Sequence, residues 1–198
     1  MRFTTTAIPG VAIVDLELRE DDRGFFARSF CREEFIAAGL EPAVEQCNVS
    51  FNHAAGTLRG MHLQVHPAPE AKLVRCTRGA IIDIIVDVRH GSPTRFQHVA
   101  VELTADNRTA LYVPPFFAHG YLTLTEQAEV TYQVSGAYRP GVERGLRHSD
   151  PALGLTWPHE IAVISEKDAA WPLIGESGTE WLDDPALTPS AVGTQVLA

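Results

Sequence analysis

From Gly10 to Val134 the chain keeps one rhythm: a short apolar run, a break at glycine, proline or asparagine, and another run. About nine such runs recur at spacings near ten residues, with one short helical segment among them. That spacing leaves no room for crossover helices between parallel strands. It predicts an all-β sandwich or barrel, and within that class a jelly roll, whose mouth is lined by alternate residues of many strands.

The runs predict strands over Gly10 to Leu18, Phe25 to Phe30 and Glu45 to Phe51. Further strands fall near Val99 to Leu103, Thr109 to Val113, Gly120 to Leu124 and Ala128 to Val134. Cys31 to Gly39 is the best helix, with Phe35 and Ile36 on one side, acidic residues near its start and Gly39 at its stop. Asp21 to Gly24 and Asn52 to Gly56 read as turns, and Arg78-Gly79 as a hairpin-like turn. Pro114-Pro115 ends a strand. In Ile81 to Val88, alternation puts Asp83 and Asp87 on one face. A carboxylate in so apolar a strand either points into a polar cavity or marks an exposed edge. Ala162 to Asp168 reads as a short strand and a helix. Residues 1–183 form one expected domain, and residues 184–198 an expected mobile tail.

Composition narrows the function. The net charge of -9 argues against a nucleic-acid surface but leaves room for a locally basic pocket. Three cysteines without CxxC spacing fit neither a zinc site nor a disulfide framework, and suit a reducing cytoplasm. The N-terminus lacks the apolar core of a signal peptide, and no run is long enough to span a bilayer, so no membrane partner is expected.

The densest chemistry lies in GTLRGMHLQVHPAPEAKLVR, residues 56–75, which sets Arg59, His62, Gln64 and Lys72 among apolar strands. An imidazole and an ammonium in a dry cavity suit proton removal beside a carbonyl. Arg59 and His62 are three apart, so a straight strand would point them oppositely; a bulge at Gly60 would bring them together. A metal site fits poorly. His62 and His119 occupy positions that metal-binding cupins use, but Gln64 replaces a second His and Lys72 stands where an acid is wanted.

The string RGMHLQ, AKLVRCTRGAIIDIIVDVRHGSPT, LYVPPFFAHGYLTL, AEVTYQVSGAY, DPALGLTWP, SEKDAAWPL resembles the dTDP-4-dehydrorhamnose 3,5-epimerase family over about Asp22 to Leu173. The resemblance implies a cupin-like jelly roll, or double-stranded β-barrel, with a few short helices. It also implies a cofactor-independent enzyme acting on a nucleoside-diphosphate 4-keto-6-deoxyhexose. By that resemblance His62 is the base, Lys72 the cation beside the enolate oxygen, Tyr132 the opposing acid and Asp168 the carboxylate that orients His62. Arg23, Gln46, Asn48, Arg59, His119, Glu143 and Lys167 match ligand-contacting positions, and Tyr138, with Phe26 beside it, matches a base-stacking residue. The family is typically homodimeric, and Val11 to Leu18 could supply an edge for such pairing. Arg28 departs from the pattern, standing where a Glu usually accepts a hydrogen bond from thymine. Either the base preference moves from thymine, for example toward cytosine, or Arg28 turns to phosphate or solvent while thymine still binds. Inversion at both carbons 3 and 5, inversion at one, and non-catalytic binding of the sugar nucleotide remain the alternatives.

Overall fold

The structure, a computed structural model, describes residues 1–188. Its strands are β1 (Arg2–Thr5), β2 (Ala12–Asp15), β3 (Arg19–Asp21), β4 (Gly24–Phe26), β5 (Gln46–Asn52), β6 (Thr57–Gln64) and β7 (Lys72–Arg78). They continue as β8 (Ala80–Asp87), β9 (His98–Thr104), β10 (Ala110–Val113), β11 (Phe117–Thr123), β12 (Ala128–Val134), β13 (Glu143–Gly145) and β14 (Val163–Ile164). Two short helices, α1 (Arg32–Ala37) and α2 (Glu166–Ala169), and a 3-10 turn at Glu180–Asp183 complete the described chain.

One sheet runs β1-β2-β10-β7-β12-β5. The other runs β13-β6-β11-β8-β9, with β14 added parallel to β6. The two share one core: Val74, Leu111 and Val130 from the first sheet pack with Ile81, Ile85, Leu103 and Phe117 from the second. β8 is apolar on both faces for a reason. Ile81 and Ile85 face this inter-sheet core, while Ile84, Val86 and Val88 meet Met61, Leu146 and Leu153 beneath the later chain. Burial of both faces explains why the strand reads as an almost unbroken apolar run.

Two local expectations change. Arg78-Gly79 does not close a hairpin, because β7 and β8 lie in different sheets. It is a corner at which Gly79 takes φ +73, with Thr125 so close that a Cβ would sit 2.2 Å from its hydroxyl. Helix α1 buries Phe35 against Phe3, Phe30 and Tyr112, whereas Ile36, one residue on and about 100° around, is 51% exposed. The β3–β4 hairpin stands apart as its own two-stranded sheet, exposed throughout.

Residues 184–188 of the expected mobile tail make contacts with the rest of the chain. Leu187 is buried, its carbonyl accepts from the His90 backbone, and the Ala186 carbonyl bonds His66 Nε2. The rest of that expected tail, residues 189–198, lies outside the described residues. Among the described residues no helix is long and apolar enough to cross a membrane.

Candidate active site

A cavity of about 470 Å³ opens between the two sheets. Lys72 enters from the start of β7, Tyr132 from β12, and Gln46 and Asn48 from β5, all on the first sheet. The facing wall comes from the second sheet: Arg59 and His62 on β6, and His119 and Tyr121 on β11. The imidazole and the phenol therefore approach from opposite walls. Tyr138, Ser165, Lys167, Asp168 and Glu70 close the rim.

Arg59 and His62 reach the same cavity through a bulge. Opposite β11, His62 pairs with His119 but Arg59 pairs with Tyr121, so β6 carries one extra residue there. Gly60 occupies the bulge at φ +116, and a Cβ on it would lie 2.5 Å from the His119 carbonyl oxygen. Asn52 Oδ1 accepts from Arg59 Nε at 2.8 Å, which fixes the guanidinium and leaves its terminal amines for an anion.

The ring of His62 is half-buried. Burial, followed by the charges of Lys72, His119 and Lys167, holds it well below the usual imidazole range. It is thus a neutral proton acceptor at pH 7. The phenol of Tyr121, which bonds Ser50 Oγ and Asn52, is pushed up by burial and stays protonated.

Asp168 reaches the site because β14 runs parallel to β6 and leads into α2, capped by the Ser165 hydroxyl. Asp168 Oδ2 accepts the Gly60 backbone N–H at 3.2 Å, while its buried Oδ1 has no partner among the described residues. It thus braces the bulge beneath His62 instead of hydrogen-bonding the His62 ring. The His–carboxylate hydrogen bond that is present joins His119 Nε2 to Asp83 Oδ1 at 2.6 Å. This answers the question posed by Asp83: it is fully buried and faces the site, not an edge.

Ten of the fourteen residues singled out from the sequence line this cavity. Glu143 stands just outside it, holding Lys167 Nζ through both carboxylate oxygens at 3.0 and 2.9 Å. Three residues lie elsewhere. Arg23 pairs with Asp21 on the exposed hairpin, Phe26 is 69% exposed at the hairpin's end, and Arg28 bonds Glu34 of α1 at 2.8 Å. Three residues were missed. Tyr121 follows His119 by two on one strand, so alternation pointed to it. Glu70 stands two residues before Lys72, the same spacing, whereas Asn52 gave no such signal, since its role depends on the partner the fold brings to it. Among the described residues no three His, Cys, Asp or Glu side chains converge as metal ligands would.

The two sheets and the polar hollow between them define a cupin-like jelly roll with an internal polar site. Within that class the match is specific. The family model for dTDP-4-dehydrorhamnose 3,5-epimerase covers residues 5–176, and the chain belongs to that family. It is 40% identical over 177 residues to the dTDP-4-dehydrorhamnose 3,5-epimerase of Sinorhizobium fredii, covering 89% of this chain and 91% of that one. A Bacillus anthracis dTDP-4-dehydrorhamnose 3,5-epimerase with TDP and PPi bound superposes with a TM-score of 0.84 and 36% identity, over 87% of this chain and 99% of that one. ChmJ of Streptomyces bikiniensis, a 3'-monoepimerase in complex with dTDP-quinovose, gives 0.82 and 34%, over 89% and 90%.

Proposed function

We propose that this chain epimerises a nucleoside-diphosphate 4-keto-6-deoxyhexose at carbons 3 and 5, by proton removal and return through an enolate. The observation that carries the reading is the approach of His62 and Tyr132 from opposite walls of one cavity that also holds Lys72. Neutral His62 takes the proton alpha to the ketone, and Lys72 stabilises the enolate oxygen by charge. Tyr132 then returns a proton to the other face. A phenol is a weak acid, but an enolate carbon is basic enough to accept from it. The free oxygen of Asp168 is the acceptor suited to the second ring nitrogen of His62 once substrate orders the site. Arg59 and Lys167 suit the diphosphate, Arg59 by a two-pronged grip. Tyr138, 60% exposed beside the rim, suits stacking on the base.

The family relatives include a 3'-monoepimerase on nearly the same fold, which keeps single-carbon inversion as the second reading. Incubation with dTDP-4-keto-6-deoxyglucose in deuterated water separates them. Label at carbons 3 and 5 supports the first reading, label at one carbon the second, and no label refutes both. Arg28 is already paired with Glu34, which favours thymine binding with Arg28 turned away. Titration with dTDP and CDP decides that point, since tighter CDP binding would reverse it.

The protein acts as a homodimer in this reading. Arg23 and Phe26, expected at the ligand, sit on a hairpin that projects from the chain, with Phe25 and Phe26 45% and 69% exposed. β5 is an outer strand of the first sheet with Val49 66% and Phe51 38% exposed. A second copy that covers these residues would bring the hairpin toward a cavity. An active monomer in sedimentation would count against this assembly. Function inside the cytoplasm fits a nucleotide-sugar substrate.

A further inference from the structure

The chain has two lysines, Lys72 and Lys167, and both line the one cavity. Each is held by a glutamate. Lys167 and Glu143 meet near the surface, where the lysine side chain is 55% exposed. Lys72 and Glu70 meet almost out of solvent, with side chains 13% and 11% exposed and Nζ 3.3 Å from Oε1.

The second oxygen of Glu70 is fixed as well. Oε2 accepts from Gln64 Nε2 at 3.0 Å. Gln64 is itself buried, and its remaining capacity is used: Oε1 accepts the Arg139 backbone N–H at 2.7 Å, and Nε2 also reaches the Ala137 carbonyl at 3.4 Å. Glu70 thus joins a rigid amide on β6 to a lysine side chain with four rotatable bonds. A lysine ammonium is a point charge on a flexible stem, so its position must be imposed from outside. A charge that stabilises an enolate must stand in place before the charge develops, because moving it during the reaction costs part of the benefit.

We propose that Glu70 is a positioning residue: anchored by Gln64, it sets where the Lys72 ammonium stands, and it influences the reaction only through that ammonium. The proposal rests on the epimerase reading for its kinetic consequence, while the hold on Lys72 stands without it. A purely structural carboxylate would act differently. Its task would be to tie residues 65–71 to β6 through Gln64, and a glutamine at position 70 could still accept that hydrogen bond.

The full-length protein and its Glu70→Gln variant provide the test. With only two lysines, treatment with limiting acetylating reagent followed by peptide mass spectrometry reads Lys72 against Lys167 as an internal standard. Loss of the ion pair frees the Lys72 amine, so the Lys72 to Lys167 labelling ratio should rise severalfold in Glu70→Gln. An unchanged ratio overturns the proposal. In the epimerase assay kcat should fall roughly tenfold with KM within about threefold, the signature of a group displaced from the reacting centre without loss of binding. Wild-type kcat in a variant with raised labelling overturns the kinetic part. Should Glu70→Gln fail to fold, Gln64→Ala leaves the carboxylate but frees it. Its labelling ratio should also rise, and a wild-type ratio there overturns the anchoring. If the wild-type protein leaves the sugar unlabelled in deuterated water, the epimerase reading fails, while the labelling ratio still decides whether Glu70 holds Lys72.

Discussion

Asp83 Oδ1 and His119 Nε2 lie 2.6 Å apart on neighbouring strands, one side chain fully buried and the other nearly so. The pair sits where the inter-sheet core gives way to the cavity. Asp83→Ala would leave the nearly buried imidazole without its partner. We expect a loss of about 1–3 kcal/mol in urea denaturation, with a smaller loss for Asp83→Asn, whose amide oxygen can still accept from the ring. Equal stability of the alanine variant would mean that the pair contributes nothing to folding.

Gly60→Ala should be far more damaging than an ordinary glycine change. The new Cβ would meet the His119 carbonyl oxygen at 2.5 Å and Gly120 Cα at 2.6 Å, both backbone atoms that cannot rotate aside. The φ of +116 adds strain of about 1–3 kcal/mol for a side-chain-bearing residue. Because the bulge aims both Arg59 and His62, activity should fall at least about a hundredfold as they are displaced. Gly91→Ala, also at positive φ but with open space around it, is the control and should keep its activity. Normal turnover in the Gly60 variant would show that the bulge does not aim the site.

The pH dependence follows from His62. Burial and then the charges of Lys72, His119 and Lys167 keep the native imidazole neutral below its ordinary value. In the unfolded chain the same ring takes up a proton near pH 6.5. Below that pH the unfolded state binds more protons, so folding stability falls as pH drops from about 6.5 toward the lower native value. His148, likewise lowered chiefly by burial, adds to the slope in the same direction. The acid limb of kcat/KM should lie below the ordinary imidazole value, and His62→Asn should flatten part of the stability slope. An acid limb centred at or above pH 6.5 would contradict the buried, neutral base.

Much of this was legible in the sequence, and the reasons are specific. Apolar runs between turn residues marked the strands from β9 to β12, because each contributes side chains to the shared core, although β11 starts at Phe117, three residues before the expected Gly120. The Arg59–His62 spacing with Gly60 between them pointed to a bulge as the way both could enter one site, and the pairing with β11 has it. β1 escaped notice because Arg2–Thr5 is polar and exposed apart from Phe3, which packs on Phe35, and pairing with β2 holds the rest. The Arg78-Gly79 corner looked like a hairpin because a glycine turn reads the same whether the next strand returns to its own sheet or crosses to the other. Partners were the least legible. That Asp168 would brace Gly60 and that Asp83 would take His119 depends on atoms brought together from distant stretches of the chain. Residue spacing does not encode such meetings.

His62 and Tyr132 should fail in different ways when altered, because they stand on different walls and act at different steps. Removing the base prevents the enolate from forming at all. His62→Ala should therefore lose solvent deuterium exchange together with product formation, by at least about a hundredfold. Tyr132→Phe keeps the base and the Lys72 charge, so the enolate still forms and His62 can return the proton, or a deuteron, to the face it came from. That variant should exchange label into recovered substrate while giving little inverted product. Nuclear magnetic resonance of the sugar after incubation in deuterated water reads both outcomes in one sample. Exchange at the wild-type rate in His62→Ala would remove the imidazole from its assigned role. Matched loss of exchange and inversion in Tyr132→Phe would mean that the phenol is needed before the enolate forms, and that the two walls do not divide the reaction between them.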